Sequence, residues 1–130
     1  MIILLIKTDG NWAEVFLAKN YEIIEEEKWE AGRTLAESID KKIQLILKRA
    51  ELSVSDIDGI GVFSGPGSYT GLRIGHSLAN ALAYALNISV IGSTGEEWQK
   101  NVFERFQLGE NDHVAIPFYG APPRITKPCK

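Results

Sequence analysis

The sequence predicts an α/β fold built on a mixed β-sheet. Three strand candidates come first, separated by short turns, and they span Ile2 to Lys7, Trp12 to Lys19 and Tyr21 to Trp29. After them, helical and strand patterns alternate, and the connections are long enough for parallel crossovers. The order of three strands, helix, strand, helix, strand, helix therefore predicts three antiparallel strands at the start, a parallel part after them, and flanking helices.

The first three strands are predicted from apolar runs and from the residues that separate them. Asp9-Gly10-Asn11 supplies residue types that tolerate positive φ, which predicts a hairpin between the first two strands. A second turn at Lys19-Asn20 leads to the third strand, whose glutamates between Glu25 and Glu30 predict a solvated sheet edge. An acidic strip that faces a basic partner is the alternative interpretation.

Three helices are predicted from apolar residues at helical spacing. Thr34 with Glu37 forms a capping-box pattern at the start of the first helix, which runs to Ala50. Thr94 with Glu97 repeats that pattern before the third helix. The remaining predicted elements are two short strands and the second helix: Gly59 to Ser64, Ser89 to Ser93, and Thr70 to Leu86.

A length of 130 residues with 45% hydrophobic and 24% charged residues predicts one domain with a packed core. We expect residues 1–110 to form this domain. Residues 111–130 are expected to hold a residual strand at His113 to Phe118 and then an extended tail, because prolines interrupt regular structure there.

The net charge and the cysteine content limit which classes of function and which cellular settings fit the sequence. The formal net charge of -3 argues against unaided nucleic-acid binding, which depends on lysine and arginine displacing phosphate counterions. Cys129 is the only cysteine, so neither an internal disulfide nor a thiolate metal cluster is expected, and a reducing, cytoplasmic setting fits best. The opening apolar run, Ile2 to Ile6, is too short for a signal-peptide core, and no membrane association is expected.

The most distinctive motif of the sequence covers residues 64–75, between a predicted strand and the second helix. It reads Ser-Gly-Pro-Gly-Ser-Tyr-Thr-Gly-Leu-Arg-Ile-Gly. Ser68 or Thr70 can cap that helix, and its free amides suit a phosphate or carboxylate. A Walker lysine and the dinucleotide glycine spacing are both missing. A capped start without a ligand and an anion site therefore remain open alternatives. We define the motif loop as Gly65, Pro66, Gly67, Ser68, Tyr69, Thr70 and Gly71.

The second helix is apolar over most of its circumference. Small residues recur at intervals of four from Gly71 to Ala83, which would allow another helix to approach closely. A partner helix is the predicted cover, and the alternative is that the chain's own helices cover it. Arg73 can add a charge-assisted bond to a partner or to a nucleotide phosphate. The predicted contact residues are Leu72, Arg73, Ile74, Gly75, Leu78, Ala79 and Leu82.

No catalytic residue and no metal site are predicted. Asp9 is interpreted as part of the hairpin turn, and Ser68 lacks identifiable histidine and acid partners for nucleophilic catalysis. His76 and His113 are far apart without a His-Glu-x-x-His arrangement, so a metallopeptidase is not expected.

Residues 64–75 closely resemble the segment typical of the TsaB (YeaZ) family, in which Gly-Pro-Gly-Ser-Phe-Thr-Gly-hydrophobic-Arg-hydrophobic-Gly follows a strand. The element order to about Phe106 and the run Val90-Ile91-Gly92-Ser93 also resemble that family's first lobe. The resemblance implies a ribonuclease-H-like lobe, of the superfamily of actin, heat-shock chaperones and sugar kinases. It implies a non-catalytic subunit for threonylcarbamoyladenosine formation in tRNA, which pairs with the catalytic paralogue TsaD through its first two helices and is joined by the ATPase TsaE.

The chain departs from that family at three places. Lys7-Thr8 stands where the family's first strand ends in Asp-Thr, Arg33-Thr34 stands where histidine is usual, and only the start of a second lobe is present. We therefore expect no bound cofactor, a nucleotide only at a partner interface, and only indirect contact with tRNA. The alternatives are a small ATPase or phosphotransferase of the same superfamily, and a self-associating module that forms a homodimer.

Overall fold

The computed structural model describes residues 1–119, which form a five-stranded mixed sheet flanked by three α-helices. The strands are β1 (Ile2–Lys7), β2 (Trp12–Lys19), β3 (Glu22–Glu30), β4 (Gly59–Phe63) and β5 (Ser89–Ser93). The helices are α1 (Leu35–Arg49), α2 (Tyr69–Leu86) and α3 (Trp98–Gln107), with short 3-10 turns at Gly32–Thr34 and Val54–Asp56. The predicted order of strands and helices up to α3 is confirmed.

The sheet has the strand order β3-β2-β1-β4-β5. β2 pairs antiparallel with both β1 and β3, whereas β4 pairs parallel with β1 and with β5. In the register, Leu4 lies opposite Leu17 on one side and Ile60 on the other. β1 is therefore the central strand of the sheet, and its residues from Ile3 to Ile6 are fully buried.

The two predicted turns between the first strands differ in how they form. Asn20 and Tyr21 both have positive φ, 51° and 68°, so the second turn uses the left-handed conformation that asparagine tolerates. Asp9-Gly10-Asn11 joins β1 to β2 as predicted, but none of its residues has positive φ. Contacts outside the hairpin hold this loop, since the carbonyl of Asp9 accepts from the Ser68 amide at 2.8 Å.

Helices pack on both faces of the sheet. α1 and α2 cover one face, where Ile39, Ile43 and Ile46 of α1 meet alternate residues of β1, β2 and β4. α3 covers the other face, where Trp98, Val102 and Phe106 meet Ile3 and Leu5. The alternation of side chains along β1 therefore supplies both cores, which explains why its sequence is a continuous aliphatic run.

The edge strand β3 was predicted to be solvated, and its position at the sheet edge is confirmed. Two of its glutamates nevertheless point toward α1, where Arg49 binds Glu25 and Glu27, both at 3.0 Å. Lys42 also approaches Glu27 at 3.4 Å. Part of the acidic strip is thus paired within the chain.

Neither predicted capping box forms. Thr34 lies in a 3-10 turn, so its hydroxyl donates backward to the carbonyl of Ala31 at 2.7 Å and does not cap α1. Glu97 precedes α3 without a side-chain cap. A capping box does form at Ser53 and Asp56, where it closes the short turn before β4.

The predicted strand at residues 113–118 is wrong. His113 has a positive φ of 66°, and the backbone that follows bonds to side chains and loops, so no ladder forms within these described residues. The side chain of Asn80 makes two bonds to Ala115, and the Phe118 amide donates to the carbonyl of Ser64 at 2.6 Å. We call residues 111–119 the strap.

The proposed tail at residues 120–130 lies outside the described residues, and the boundary at residue 110 stays a prediction. Within residues 1–119, no helix is long and apolar enough to cross a membrane.

Candidate functional site

The motif loop ends in a capped helix start. Ser68 is the N-cap of α2, and its hydroxyl oxygen accepts from the Gly71 amide at 3.2 Å. The carbonyl of Ser68 accepts from Leu72 at 3.0 Å, which begins the helical bonding. Ser68, rather than Thr70, is therefore the cap, while the anion site stays a prediction.

The glycines of α2 allow close contact with the end of β1. Thr8 is fully buried, and its hydroxyl donates to the carbonyl of Gly71 at 2.7 Å. A Cβ on Gly71 would overlap the carbonyl oxygen of Thr8, and a Cβ on Gly75 would overlap the Thr8 hydroxyl. The small residues on this side of α2 thus serve packing on the chain's own sheet.

This packing divides the predicted contact residues, whose role in partner binding stays a prediction, into two groups. Leu72, Gly75 and Ala79 are buried on the side of α2 that faces the sheet, so these three positions are not on its outer surface. Of the remaining predicted contact residues, Arg73 is exposed. Ile74, Leu78 and Leu82 are half-buried and pack partly against the core that α1, α2 and the sheet share, so only part of each side chain faces outward. The sequence pattern could not separate the two sides because both are apolar.

A groove of about 380 Å³ lies between the first turns of α1 and α2. The Arg73 guanidinium lies 5.3 Å from the centre of the Tyr69 ring, which stacks on Tyr119 at 4.7 Å. The groove is lined by Ala36, Tyr69, Thr70, Arg73, Ile74 and Ser77. It therefore joins the motif loop to the outward face of α2.

Ser64 and His76 form a buried pair that the sequence did not predict. The His76 Nε2 lies 2.9 Å from the Ser64 hydroxyl, and Nδ1 lies 2.7 Å from the carbonyl of Leu72. Because a carbonyl only accepts, Nδ1 carries the proton and Nε2 accepts from Ser64. Burial lowers the pKa of His76, although the bond to Leu72 opposes this shift. The carbonyl occupies the position that a carboxylate has in a Ser-His-Asp triad.

The end of β1 carries a cation, Lys7. Lys7 binds Asp9 at 2.8 Å and lies 4.6 Å from the centre of the Phe63 ring. Asp9, interpreted from the sequence as a turn residue, thus also pairs with a neighbouring lysine.

A second cleft, of about 440 Å³, lies at the carboxyl ends of β4 and β5, the end at which open α/β sheets commonly bind ligands. Its polar side chains largely bond to protein groups. Asn101 donates to the Ser93 hydroxyl at 2.6 Å, and Asp112 accepts from the Gly92 amide at 2.8 Å. The cleft is lined by Ser64, Gly92, Ser93, Thr94, Asn101, Asp112, Val114 and Ile116.

The strand order and the placement of the helices define a ribonuclease-H-like fold. A structure of RuvC from T. thermophilus shares this fold, with a TM-score of 0.53 at 9% identity over 92% of this chain and 85% of that one. YeaZ from Pseudomonas aeruginosa is more similar, with a TM-score of 0.67 and 25% identity over 72% of this chain. The predicted fold class and the resemblance to the TsaB (YeaZ) lobe are both confirmed.

Residues 13–94 match the family model described as TsaD, tRNA N6-adenosine threonylcarbamoyltransferase, and the chain belongs to this family. A tRNA N6-adenosine threonylcarbamoyltransferase from Geotalea daltonii is 47% identical over 62 residues, and one from Clostridioides difficile is 45% identical over 62 residues. Both matches cover 48% of this chain and 18% of the relative. The chain also spans 43% of the YeaZ structure, so it corresponds to a part of each relative.

Proposed function

We propose that this chain is the partner-binding lobe of a non-catalytic subunit in threonylcarbamoyladenosine formation, and that it binds and activates a TsaD-like transferase subunit. The observation that carries the proposal is the outward face of α2 beside the groove at the motif loop. The inner side of α2 already packs on the sheet, so a partner would contact the outer side.

The outward face has the composition of a helix-packing surface. Ile74, Leu78 and Leu82 recur at intervals of four and are only half-buried. Ala81 and Ala85 are exposed beside this row and leave room for the ridge of a second helix. Arg73, at one end, can bind a partner carboxylate. The proposed contact residues are therefore fewer than the sequence predicted, and they lie on one side.

In this proposal the chain contributes a binding surface, and the transferase subunit contributes the catalytic groups. A TsaE-like ATPase completes the assembly in the cytoplasm. The tRNA is held by the partners, because a formal net charge of -3 favours little binding to phosphates.

Co-purification with a TsaD-like subunit tests the proposal. Ala81→Arg places a large charge on an exposed position, so the fold should persist while binding is lost. Leu78→Asp should have the same effect on binding, and Gln107→Arg on α3 is the matched control that should bind normally. Wild-type co-purification by both α2 variants, measured with circular dichroism spectra that match the wild type, would refute the proposed surface.

The family match supports a second candidate function, in which this lobe is part of a transferase polypeptide. That function predicts threonylcarbamoylation of tRNA by the polypeptide that carries this lobe without a second TsaD-like subunit, whereas our proposal predicts activity only when the two subunits are mixed. ATP turnover by the chain alone would instead favour a small ATPase, and light scattering of the chain alone distinguishes a homodimer.

A further inference from the structure

Among the described residues 1–119, β5 is the last strand of the sheet, so one of its edges has no neighbouring strand there. In the parallel pairing of β5 with β4, alternate residues of β5 direct their backbone N–H and C=O groups toward β4. The backbone groups of Val90 and Gly92 therefore point away from β4, toward the open edge. An open edge of this kind is a template for pairing with another strand. The sequence of Ile88 to Ser93 contains no charged residue and no proline, so nothing in the strand itself discourages such pairing.

Side chains and the strap occupy all four outward groups. The Val90 amide donates to the Asn111 side chain at 3.1 Å, and the Val90 carbonyl accepts from the Asp112 amide at 2.8 Å. The Gly92 amide donates to the Asp112 carboxylate at 2.8 Å, and the Gly92 carbonyl accepts from Arg105 at 3.1 Å. These bonds reproduce what a sixth strand would supply.

Arg105 and Asp112 also hold each other in place. Arg105 binds Asp112 through both terminal nitrogens and binds Glu110 through Nε at 2.6 Å. The hydrogen bonds from Arg105 to Asp112 and Glu110 raise the pKa of the guanidinium, so its charge is retained. Both members of the Arg105–Asp112 pair are about three-quarters covered, with exposed side-chain fractions of 25% and 26%. The pair is therefore partly shielded from solvent.

We propose that Arg105, Asn111 and Asp112 form a side-chain cap that closes the β5 edge against strand pairing with a second copy of this chain. The second copy is the partner to which the edge is best matched, because an uncharged strand can pair with its own sequence without electrostatic repulsion. Loss of the cap then exposes the backbone amides and carbonyls of Val90 and Gly92. A second copy of the chain can pair with β5 through these groups.

Asp112→Ala tests the cap, and Glu110→Ala is the matched control because it also removes a carboxylate from Arg105 but leaves β5 untouched. Asp112→Ala should speed hydrogen exchange of the Gly92 amide by about tenfold or more, since a bond to a charged acceptor is lost. It should also produce a concentration-dependent rise in mass by light scattering. Glu110→Ala should change neither quantity.

The amides of Leu4 and Leu17 in the centre of the sheet report whether each variant is folded. If Asp112→Ala does not fold, Asp112→Asn replaces it, because an amide oxygen can still accept from Gly92 while the charge is lost. This variant should show a larger acceleration of exchange at the Gly92 amide than Glu110→Ala. Unchanged exchange at Gly92, or an unchanged mass with accelerated exchange, would overturn the proposal.

Discussion

Thr8 connects the end of β1 to α2 through a single buried hydroxyl. Its bond to Gly71 and its contact with Gly75 require that both helix positions lack a side chain. His76, the residue after Gly75, is equally constrained, because both of its ring nitrogens are bonded in a buried site. These residues set how closely the helix lies on the sheet.

Gly75→Ala should destabilise the fold. The added Cβ overlaps the Thr8 hydroxyl, and such overpacking costs about 1–3 kcal/mol, of which alanine's higher helix propensity offsets up to about 1 kcal/mol. Urea denaturation measures the change. Gly10→Ala is the control, because a Cβ there has nothing within 4 Å. Equal midpoints for the two variants would contradict this account of the helix contact.

His76 predicts a pH dependence of stability. Burial lowers its pKa in the folded state, so the unfolded chain binds the proton more tightly. Stability is therefore complete above the unfolded value of about 6.5 and falls as pH drops through it. Urea midpoints from about pH 7.5 to about pH 5.5 should decrease for the wild type. His76→Gln should flatten this part of the profile, and a profile of unchanged slope would assign the dependence to other groups.

At the scale of elements, α1 is attached to β3 by both apolar and charged contacts. Trp29 donates its indole N–H to Ser38 at 2.9 Å, and Lys42 lies 5.6 Å from the centre of its ring. Arg49 adds ion pairs to the glutamates of β3. The sheet edge is thus held to α1 along the length of the helix, although its outer side remains charged.

Arg49→Ala should cost only about 0.2–1 kcal/mol, because the ion pairs are partly exposed. A second readout is the carboxyl of Glu27. Burial raises its pKa, but hydrogen bonds from Arg49 and Lys42 outweigh that effect and leave the pKa lowered. An NMR titration of Arg49→Ala should show this pKa rising toward its usual value. Lys48→Ala, on the exposed neighbouring position, should leave it unchanged.

At the scale of the whole molecule, the two faces of the sheet are covered by different numbers of helices. Two helices cover one face of the sheet, whereas the other face depends on α3 and an aromatic cluster. Trp98 is the centre of that cluster, with edge-to-face contacts to Phe16 at 6.2 Å and to Phe63 at 5.7 Å. The second core is therefore sensitive to the loss of one side chain.

Trp98→Ala should lower the free energy of unfolding by about 3–5 kcal/mol, because it removes a large buried ring and leaves a cavity. Trp98→Phe keeps an aromatic ring in the cluster and should cost less. Chemical denaturation followed by circular dichroism compares the two. A loss for Trp98→Ala no greater than for Trp98→Phe would show that the cluster contributes little.

Local patterns in the sequence determined the elements and their order. The aliphatic run of β1, the helical spacing of α1 and a capped start of α2 each depend on neighbouring residues, so they could be predicted without the fold, although the choice of Ser68 over Thr70 as the cap could not. The motif at residues 64–75 likewise identified the relatives from sequence alone.

The tertiary structure decided which apolar residues face inward and which polar groups meet. α2 is apolar on both sides, so only its packing on Thr8 and the sheet separated buried Ala79 from outward Leu78. Ser64 and His76 meet because β4 ends beside the first turns of α2, and Asp112 reaches Gly92 only when the strap returns along β5. Each of these contacts joins residues on different elements, and periodicity within one element carries no information about its neighbour.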